Sequence, residues 1–388
     1  MSNRYKGAII SATPPTTTGG ESGVASGAWT LEQQMQLQAA GLWPSQPLPK
    51  YIEDVFSTYL YTGNGSTQTI TNGIDLSTKG GLVWQKERDS TGNNHALMDT
   101  LNGGGNFLQS NNTNALATGY TGSFSSTGFT TGTFSGNINN SAKLQVSWTF
   151  REQPKFFDIV TYTGNGSNRT IAHNLGSVPG CIIIKRTDAI EDWQVYHRSL
   201  ANTQYMVLDQ TFAALTGTTR WNSTTPTDTV FSLGTSTGVN ASGGTYVAYI
   251  FAHDAGGFGL TGTDNVISCG SFTNNGSGNA TVSLGYEPQW VMIKNITSAE
   301  NWYVNDIMRG MPTPAANQYL IPNTSGAEAT GGAIAPTSTG FAITGLTASA
   351  TYIYIAIRRG PMKVPTDATK VFSPNALTTA PATFNIGF

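Results

Sequence analysis

The chain has 388 residues, enough for several domains of ordinary size. Its 20 basic and 22 acidic residues give a net charge of −2, so no basic stripe is available to hold phosphates and nucleic acid is disfavoured as a partner. No apolar run reaches the roughly 20 residues that cross a bilayer, which disfavours membrane insertion. The 45 glycines and abundant Thr, Ser and Asn favour short strands joined by turns.

Residues 1–53 are predicted to form an N-terminal arm, one short helix and a Pro-rich spacer. The first residues, MSNRYKGAIISATPP, lack the apolar segment of a signal peptide, so synthesis in the cytoplasm is expected. Thr30 and Gln33 form a capping-box pattern, and Pro44 is expected to end the helix. The apolar residues of this segment are the candidate anchors: Trp29, Leu31, Met35, Leu42 and Trp43.

A helix this short is not stable alone and needs a surface on which to dock. Two interpretations are open for residues 1–53. The helix packs on the first part of the body, or it anchors the chain to another protein or to further copies of itself.

The rest of the chain contains one pattern three times. YTGNGS at 61–66 recurs at 162–167 and, as FTNNGS, at 272–277. Further landmarks keep the same spacing, namely Lys86, Lys185 and Lys294, then His95, Trp193 and Trp302, then Phe129, Phe231 and Phe341. Several landmarks in step indicate one module used three times.

Each module is predicted to contain six to eight short strands and no amphipathic helix. The runs GLVWQK, CIIIKR and WVMIKN are almost wholly apolar, which is typical of strands covered on both faces. The closing strands end at Phe150, Ala252 and Arg359, and their alternation places Trp148, Tyr249 and Ile355 on one face. The two cysteines, Cys181 and Cys269, fit small buried thiols.

These features predict an all-β fold of three tandem antiparallel β-sandwich modules, of jelly-roll or lectin-like type. The predicted boundaries are 54–157 for module 1, 158–262 for module 2 and 263–362 for module 3. Residues 363–388 are a Pro- and Thr-rich tail, and a longer parent chain is compatible with its end at Phe388.

Module 1 resembles a repeated module of structural proteins of marine and cyanobacterial tailed phages. The resemblance lies in LVWQKERDSTGNNHALMDTL, FLQSNNTNA, STGFTTG and VSWTF, in that order, and in YVAY of module 2. GAWTLEQQMQLQAAGLWP resembles the segment that precedes such modules. Where module 1 has His95, the other modules have Trp193 and Trp302, which favours packing over a shared ligand contact at this position.

The resemblance implies a virion protein, most simply a tail-associated fibre or spike for host attachment. Other virion proteins and a host glycan or receptor are then its expected partners, and a homotrimer is its expected assembly. A capsid decoration, cement or head-fibre protein is the alternative.

The sequence offers little for catalysis, and we expect neither an enzyme nor a cofactor. The four histidines have no metal-binding spacing, and no calcium loop is present. A polysaccharide depolymerase needs two carboxylates across the scissile bond. The cluster Asp188, Glu191 and Asp192, with Glu300 alone in module 3, is more typical of a solvated turn.

Sugar binding through aromatic side chains is the remaining option. The candidates are Trp193, Tyr196, Trp302 and Tyr303, and burial of these residues in the core is the favoured alternative.

Overall fold

A computed structural model describes residues 31–39, 50–132, 138–311 and 317–363. The chain divides into two compact units, residues 1–50 and 51–388. In the first unit helix α1 spans Leu31–Ala39, so the predicted short helix is present. Leu31 and Met35, four residues apart on one face, are 72% and 60% exposed. Trp29, Leu42 and Trp43 lie outside the described residues, as do the predicted arm and most of the tail.

Module 1 is built from nine strands. In chain order they are β1 Phe56–Thr62, β2 Gln68–Thr71, β3 Gly81–Glu87, β4 Ala96–Asp99, β5 Asn106–Phe107, β6 Ala117–Thr118, β7 Ser123–Ser125, β8 Gly128–Thr131 and β9 Leu144–Arg151. The main sheet has the order β1-β9-β3-β4, the second sheet β2-β8-β7, and β5 pairs with β6. A 3-10 turn at Ile52–Asp54 precedes β1, and its buried Ile52 places this stretch in the body, not in the N-terminal segment.

Module 2 repeats this plan with eight strands and one helical turn. They are β10 Phe157–Thr163, β11 Arg169–Ala172, β12 Cys181–Arg186, β13 Gln194–His197, β14 Gln204–Val207, β15 Leu215–Thr216, β16 Val230–Leu233, α2 Thr237–Asn240 and β17 Thr245–Phe251. The main sheet runs β10-β17-β12-β13-β14-β15, and β11 pairs with β16.

Module 3 again has nine strands. They are β18 Ile267–Thr273, β19 Ala280–Ser283, β20 Pro288–Asn295, β21 Trp302–Asp306, β22 Gln318–Tyr319, β23 Ala329–Thr330, β24 Ile334–Thr337, β25 Gly340–Ile343 and β26 Thr351–Arg358. The main sheet runs β18-β26-β20-β21, the second β19-β25-β24, and β22 pairs with β23. A 3-10 turn follows β21 at Ile307–Arg309. In all three modules the first strand pairs antiparallel with the last, which confirms the predicted all-β fold of repeated sandwiches.

The main sheet of each module is covered on both faces. All seven residues of β3 are buried, as its apolar run predicts. In module 1 the sandwich face packs Val83 and Met98 against Ile70 and Phe129 of the second sheet. The opposite face contributes Leu82, Trp84, Trp148 and Phe150 to a core that all three modules share.

The repeated turn is held by one asparagine across the module. The Asn64 N–H donates to Asn139 Oδ1, and in module 2 the Asn165 N–H donates to Asn240 Oδ1. A Cβ on Gly63 would lie 2.2 Å from the Asn140 carbonyl oxygen, so the close approach of these two segments of the chain requires glycine at position 63. Module 3 has Asn274 in this place, and its own side chain accepts from the Ala350 N–H and donates to the Thr347 carbonyl.

The shared core joins the modules into one body. The Phe150 ring lies 5.5 Å from Phe157 and 5.7 Å from Phe251 of module 2, and 5.8 Å from Trp290 of module 3. Trp148 and Tyr249 are buried here, as predicted, and so are the free thiols of Cys181 and Cys269. The modules are therefore not separate domains on a string.

One contact recurs at every module boundary. The side chain at the His95, Trp193 and Trp302 position donates an N–H to a backbone carbonyl of the neighbouring module. His95 Nε2 lies 3.1 Å from the Ile321 oxygen, Trp193 Nε1 2.9 Å from the Gln109 oxygen and Trp302 Nε1 2.9 Å from the Val207 oxygen. Module 1 thus binds module 3, module 3 binds module 2, and module 2 binds module 1. Equivalent head-to-tail contacts that close on themselves form a ring.

Paired backbone hydrogen bonds repeat with the same cyclic order. In one set, N–H groups donate to carbonyl oxygens of the next module: Leu116 N to Thr187 O, Ala214 N to Ile296 O and Glu328 N to Arg88 O. In the reciprocal set the donors and acceptors are Glu191 N to Thr113 O, Glu300 N to Thr211 O and Gly92 N to Ser325 O. Each boundary therefore has the same two-bond bridge. The described part of residues 51–363 therefore forms a closed ring of three sandwiches with approximate threefold symmetry.

The repeated lysines lie beside these bridges. Lys86, Lys185 and Lys294 are buried, and each Nζ donates to the carbonyl oxygen of the following residue. Lys185 and Lys294 also donate across the boundary, to the carbonyl oxygens of Thr113 and Thr211. Burial lowers the pKa of each lysine to about 8. In modules 2 and 3 the lysine landmark is therefore explained by ring closure.

The residue four positions after the recurring His or Trp makes a further set of cross-boundary contacts. Here Asp99 accepts a hydrogen bond from the Tyr249 hydroxyl at 2.8 Å, and Asp306 accepts one from Trp148 Nε1 at 2.9 Å. In module 2 the residue is His197, whose Nε2 donates to the Tyr354 carbonyl at 3.1 Å while Nδ1 accepts the Ser199 N–H. This pair of contacts fixes His197 as the neutral tautomer.

Burial lowers the pKa of His197 to about 4, and the hydrogen bond to the Tyr354 carbonyl partly offsets this effect. Its contribution to stability is complete above the ordinary histidine pKa of about 6.5 and is lost as the pH falls through 4. We expect the wild type to lose about 3 kcal/mol between pH 7 and 4 relative to His197→Gln, from about 1.4 kcal/mol per pKa unit. Chemical denaturation at both pH values measures this difference. Equal pH slopes would contradict it, and His253→Gln, whose ring reaches solvent, should change the slope less.

Candidate functional site

An open cavity of about 250 Å³ lies in module 3, beside strands β21 and β22. Its lining combines aromatic, acidic, amide and hydroxyl side chains with a glycine-rich rim: Ile293, Glu300, Tyr303, Asn305, Tyr319, residues 331–334 and residues 344–347. Ligand pockets are typically about 300–1,000 Å³, so this cavity is suited to one small group.

Two tyrosines form the aromatic wall of the cavity. Tyr303 on β21 and Tyr319 on β22 meet edge to face, with ring centroids 5.5 Å apart and planes at 77°. Both side chains are only partly buried, so part of each ring is accessible. Strand pairing positions them, because Val304 and Leu320 exchange backbone hydrogen bonds at the adjacent register position.

Glu300 supplies a fixed carboxylate at the cavity edge. Its Oε2 accepts hydrogen bonds from Tyr352 Oη at 2.7 Å and Asn295 Nδ2 at 2.8 Å. Burial, followed by the nearby Glu300 charge, raises the pKa of Tyr303 to about 12, so this phenol stays protonated at neutral pH. The carboxylate is therefore held in place to accept hydrogen bonds, and the Tyr303 hydroxyl remains able to donate.

In module 1 the corresponding space is filled by Tyr120. The pairing of β5 with β6 matches that of β22 with β23, which places Tyr120 where module 3 has Gly332. The Tyr120 ring lies 5.7 Å from Phe107, the counterpart of Tyr319, and its hydroxyl bonds to Thr131 Oγ1.

In module 2 an arginine fills the space. The Arg220 guanidinium lies 3.4 Å above the ring of Tyr205, the counterpart of Tyr319. Its Nε donates to Gln194 Oε1 at 2.7 Å, and Gln194 is the counterpart of Tyr303. The sandwich fold thus leaves room for a side chain here, and module 3 leaves that room open.

Gly332 keeps the cavity open. A Cβ at this position would lie 2.6 Å from Asn305 Nδ2, and Asn305 is itself buried and donates to the Gln318 carbonyl. Any larger residue therefore requires Asn305 to move. The open cavity has a counterpart in the sequence: module 1 has Gly119-Tyr120 where module 3 has Gly331-Gly332. This difference becomes visible when the modules are aligned by their strand pairing.

Of the predicted sugar-binding residues, only Tyr303 reaches this cavity. Trp193, Tyr196 and Trp302 have at most 2% of their surface exposed, so they have no face for a sugar, and the packing interpretation holds for them. Tyr319 was not singled out by the sequence. Its aromatic character is shared by Phe107 and Tyr205, and only the open space beside it distinguishes it.

The acidic cluster of module 2 lies at a module boundary. Asp188 forms an ion pair with Arg186 at 2.8 Å. Asp192 faces Asp209, whose Oδ1 accepts the Trp193 N–H at 2.9 Å, while its buried Oδ2 has no donor among the residues that the structure describes. Modules 1 and 3 have amide pairs here, Asn94 with Asn111 at 2.6 Å and Asn301 with Asn323 at 2.8 Å.

This acidic pair alters the protonation of module 2. Burial first, and the neighbouring Asp192 charge second among the effects that raise it, bring the pKa of Asp209 to about 7. A proton between the two carboxyl groups would replace the amide N–H of the other modules. The arrangement is therefore a variant of a structural junction.

No group of three or more His, Cys, Asp or Glu side chains that could hold a metal ion is found among residues 31–39, 50–132, 138–311 and 317–363. Over the same residues, no helix is long and apolar enough to cross a membrane.

The fold and cavity define the described part of residues 51–363 as an all-β ring of three sandwiches, with an open cavity in module 3. Residues 52–361, which cover most of the chain and the whole ring, match the model of the Domain of unknown function (DUF7483) family. The chain belongs to this family. No curated protein matches the chain.

Proposed function

We propose that this protein is a non-enzymatic structural protein of a phage virion, most simply a tail-associated fibre or spike that displays its modules for host attachment. The ring of three equivalent modules is the observation that supports this proposal. A shared core and bridged boundaries make the ring a rigid body, and cyclic symmetry places equivalent loops of the modules at the same end. Several weak contacts from one rigid end give useful avidity.

The N-terminal segment is the proposed attachment to the particle and to other copies, in a homotrimer. Leu31 and Met35 supply an apolar face on α1 that is exposed in the isolated chain.

Deletion of residues 1–44 is expected to leave a folded, soluble ring that no longer assembles. The physical reason is that residues 51–388 form a compact unit of their own. Circular dichroism checks the fold, and light scattering with sedimentation of particles checks assembly. Assembly that survives the deletion would contradict the anchor role; Leu260→Ala, at an exposed site of the body, is the matched control.

Immunogold electron microscopy of purified virions, with an antibody against module 2, tests the proposal. Label at the tail supports a fibre or spike. Label over the head instead supports the alternative of a decoration, cement or head-fibre protein. Absence of label from the particle overturns the virion role.

Two solution assays separate the remaining candidates. A fibre should compete with phage adsorption to host cells, whereas a decoration protein should not. A depolymerase, the remote alternative, would release reducing sugars from host polysaccharide, and we expect no such release.

A further inference from the structure

We propose that the open cavity of module 3 binds a single neutral sugar residue. This inference deepens the proposed function and rests on it, since it names the chemistry that an attachment protein would recognise. Its basis is the cavity of about 250 Å³ with Tyr303, Tyr319 and Glu300 in its lining.

The lining has the two features that a pyranose requires. A sugar ring has apolar C–H faces, which pack on accessible aromatic rings such as Tyr303 and Tyr319. It also carries hydroxyl groups, which donate to a carboxylate, and Glu300 is already oriented by Tyr352 and Asn295. A preoriented acceptor reduces the ordering cost of binding.

The charge of the lining selects a neutral ligand. Among the described residues that line the cavity, Glu300 is the acidic one and none is a lysine or an arginine. A uronate or phosphorylated sugar would place its negative charge beside that carboxylate without a cation to offset it, which costs binding energy. A neutral hexose meets no such cost.

Comparison of the modules argues that this space serves a ligand. Tyr120 fills it in module 1 and Arg220 fills it in module 2. Loss of such a filling side chain removes packing contacts and is ordinarily destabilising. In module 3 the loss is combined with partly exposed aromatic rings and with the Glu300 carboxylate, which is already oriented to accept hydrogen bonds. This combination is expected of a site that an external group occupies. The small volume restricts that group to one ring, as at the end of a glycan chain.

Saturation-transfer NMR on the full-length protein tests the inference with glucose, galactose, mannose and N-acetylglucosamine as neutral probes and glucuronate as the anionic probe. We expect transfer to at least one neutral hexose and a weaker signal for glucuronate. Tyr303→Ala should weaken the affinity about tenfold, which corresponds to about 1.4 kcal/mol, because the variant removes one of the two aromatic faces of the cavity.

Two further variants keep the test decisive. Glu300→Gln retains the shape of the side chain and should also weaken binding, so a folding defect in Tyr303→Ala does not remove the test. Tyr59→Ala, at an exposed tyrosine of module 1, should bind like the wild type. The inference is overturned if all four hexoses fail to bind, if both cavity variants bind normally, or if glucuronate binds most tightly.

These outcomes are separable from those of the proposed function. Label on the virion with no hexose binding would remove the sugar site alone. Hexose binding with no label on the particle would remove the virion role alone.

Discussion

Replacement of Trp302 by alanine is expected to lower the free energy of unfolding by about 4 kcal/mol, within the range of about 3–5 kcal/mol for removal of a buried aromatic side chain. Trp302 is 2% exposed and lies at the boundary between modules 3 and 2. The change removes the indole from the shared core and leaves the Val207 carbonyl without its donor. Denaturant titration followed by circular dichroism measures the loss.

Two companion variants assign this effect to ring closure. Trp302→Phe keeps much of the ring but removes the N–H, and should cost about 1–3 kcal/mol as expected for an unsatisfied buried carbonyl. Leu260→Ala, at a side chain 67% exposed, should change stability by less than about 0.5 kcal/mol. If Trp302→Ala costs no more than Leu260→Ala, the boundary contact is not important for stability.

Because the modules share one core, the loss should extend to the whole ring. Unfolding of the wild type is therefore expected as one cooperative transition over residues 51–388. Three separate transitions, one for each module, would show that the boundaries are weaker than the modules.

Replacement of Asp209 by asparagine is expected to stabilise the protein by about 4 kcal/mol at pH 8 and by little at pH 4. Asp209→Asn recreates the amide pair of modules 1 and 3 and supplies the missing donor toward Asp192. Burial raises the folded-state pKa of Asp209 to about 7, from the ordinary aspartate pKa of about 3.9, and a difference of one in pKa corresponds to about 1.4 kcal/mol.

Asp209→Asn is expected to stabilise the protein because the pKa of Asp209 is raised in the folded state. Between about pH 4 and 7 the folded protein keeps a proton that the unfolded chain has released, so wild-type stability falls as the pH rises through this window and levels off above it. Asp209→Asn lacks this loss. Unfolding titrations at pH 4, 6 and 8 compare the two proteins.

Asp192→Asn should act in the same direction, since it also places an amide opposite a carboxylate. Asp228→Asn, at an exposed carboxylate of the same module, is the control and should have little effect. A constant difference between Asp209→Asn and the wild type across these pH values would show that the pKa of Asp209 is not raised in the folded protein.

The repeat made much of the fold predictable. The apolar runs ending at Lys86, Lys185 and Lys294 correctly indicated strands covered on both faces. The closing strand of module 3 alternates as predicted, with Ile353 and Ile355 in the shared core and Tyr352 and Tyr354 in the core of module 3 itself. The position of His95, Trp193 and Trp302 was expected to pack, and it does. What the pattern did not specify was the cover on the second face, because apolar residues show that a face is buried but not against which partner.

The candidate site was less predictable. Tyr303 was selected as an aromatic residue near a turn, but Trp193 and Trp302 were selected by the same criterion and are buried. Exposure depends on residues farther along the chain, such as Gly332, where a Cβ would collide with Asn305. Sequence identifies the residue types that bind sugars, and the surrounding packing decides which of them are accessible.

The sequence by itself determined the strand segments, the turns and the threefold repetition, since these depend on local alternation, turn residues and spacing along the chain. Tertiary structure alone decided that the modules close into a ring and that one of three equivalent spaces stays open. Ring closure depends on hydrogen bonds such as that from Trp302 to the Val207 carbonyl, between residues distant in sequence. The open space depends on the side chains that are missing from it, and those become apparent only when strand pairing aligns the three modules.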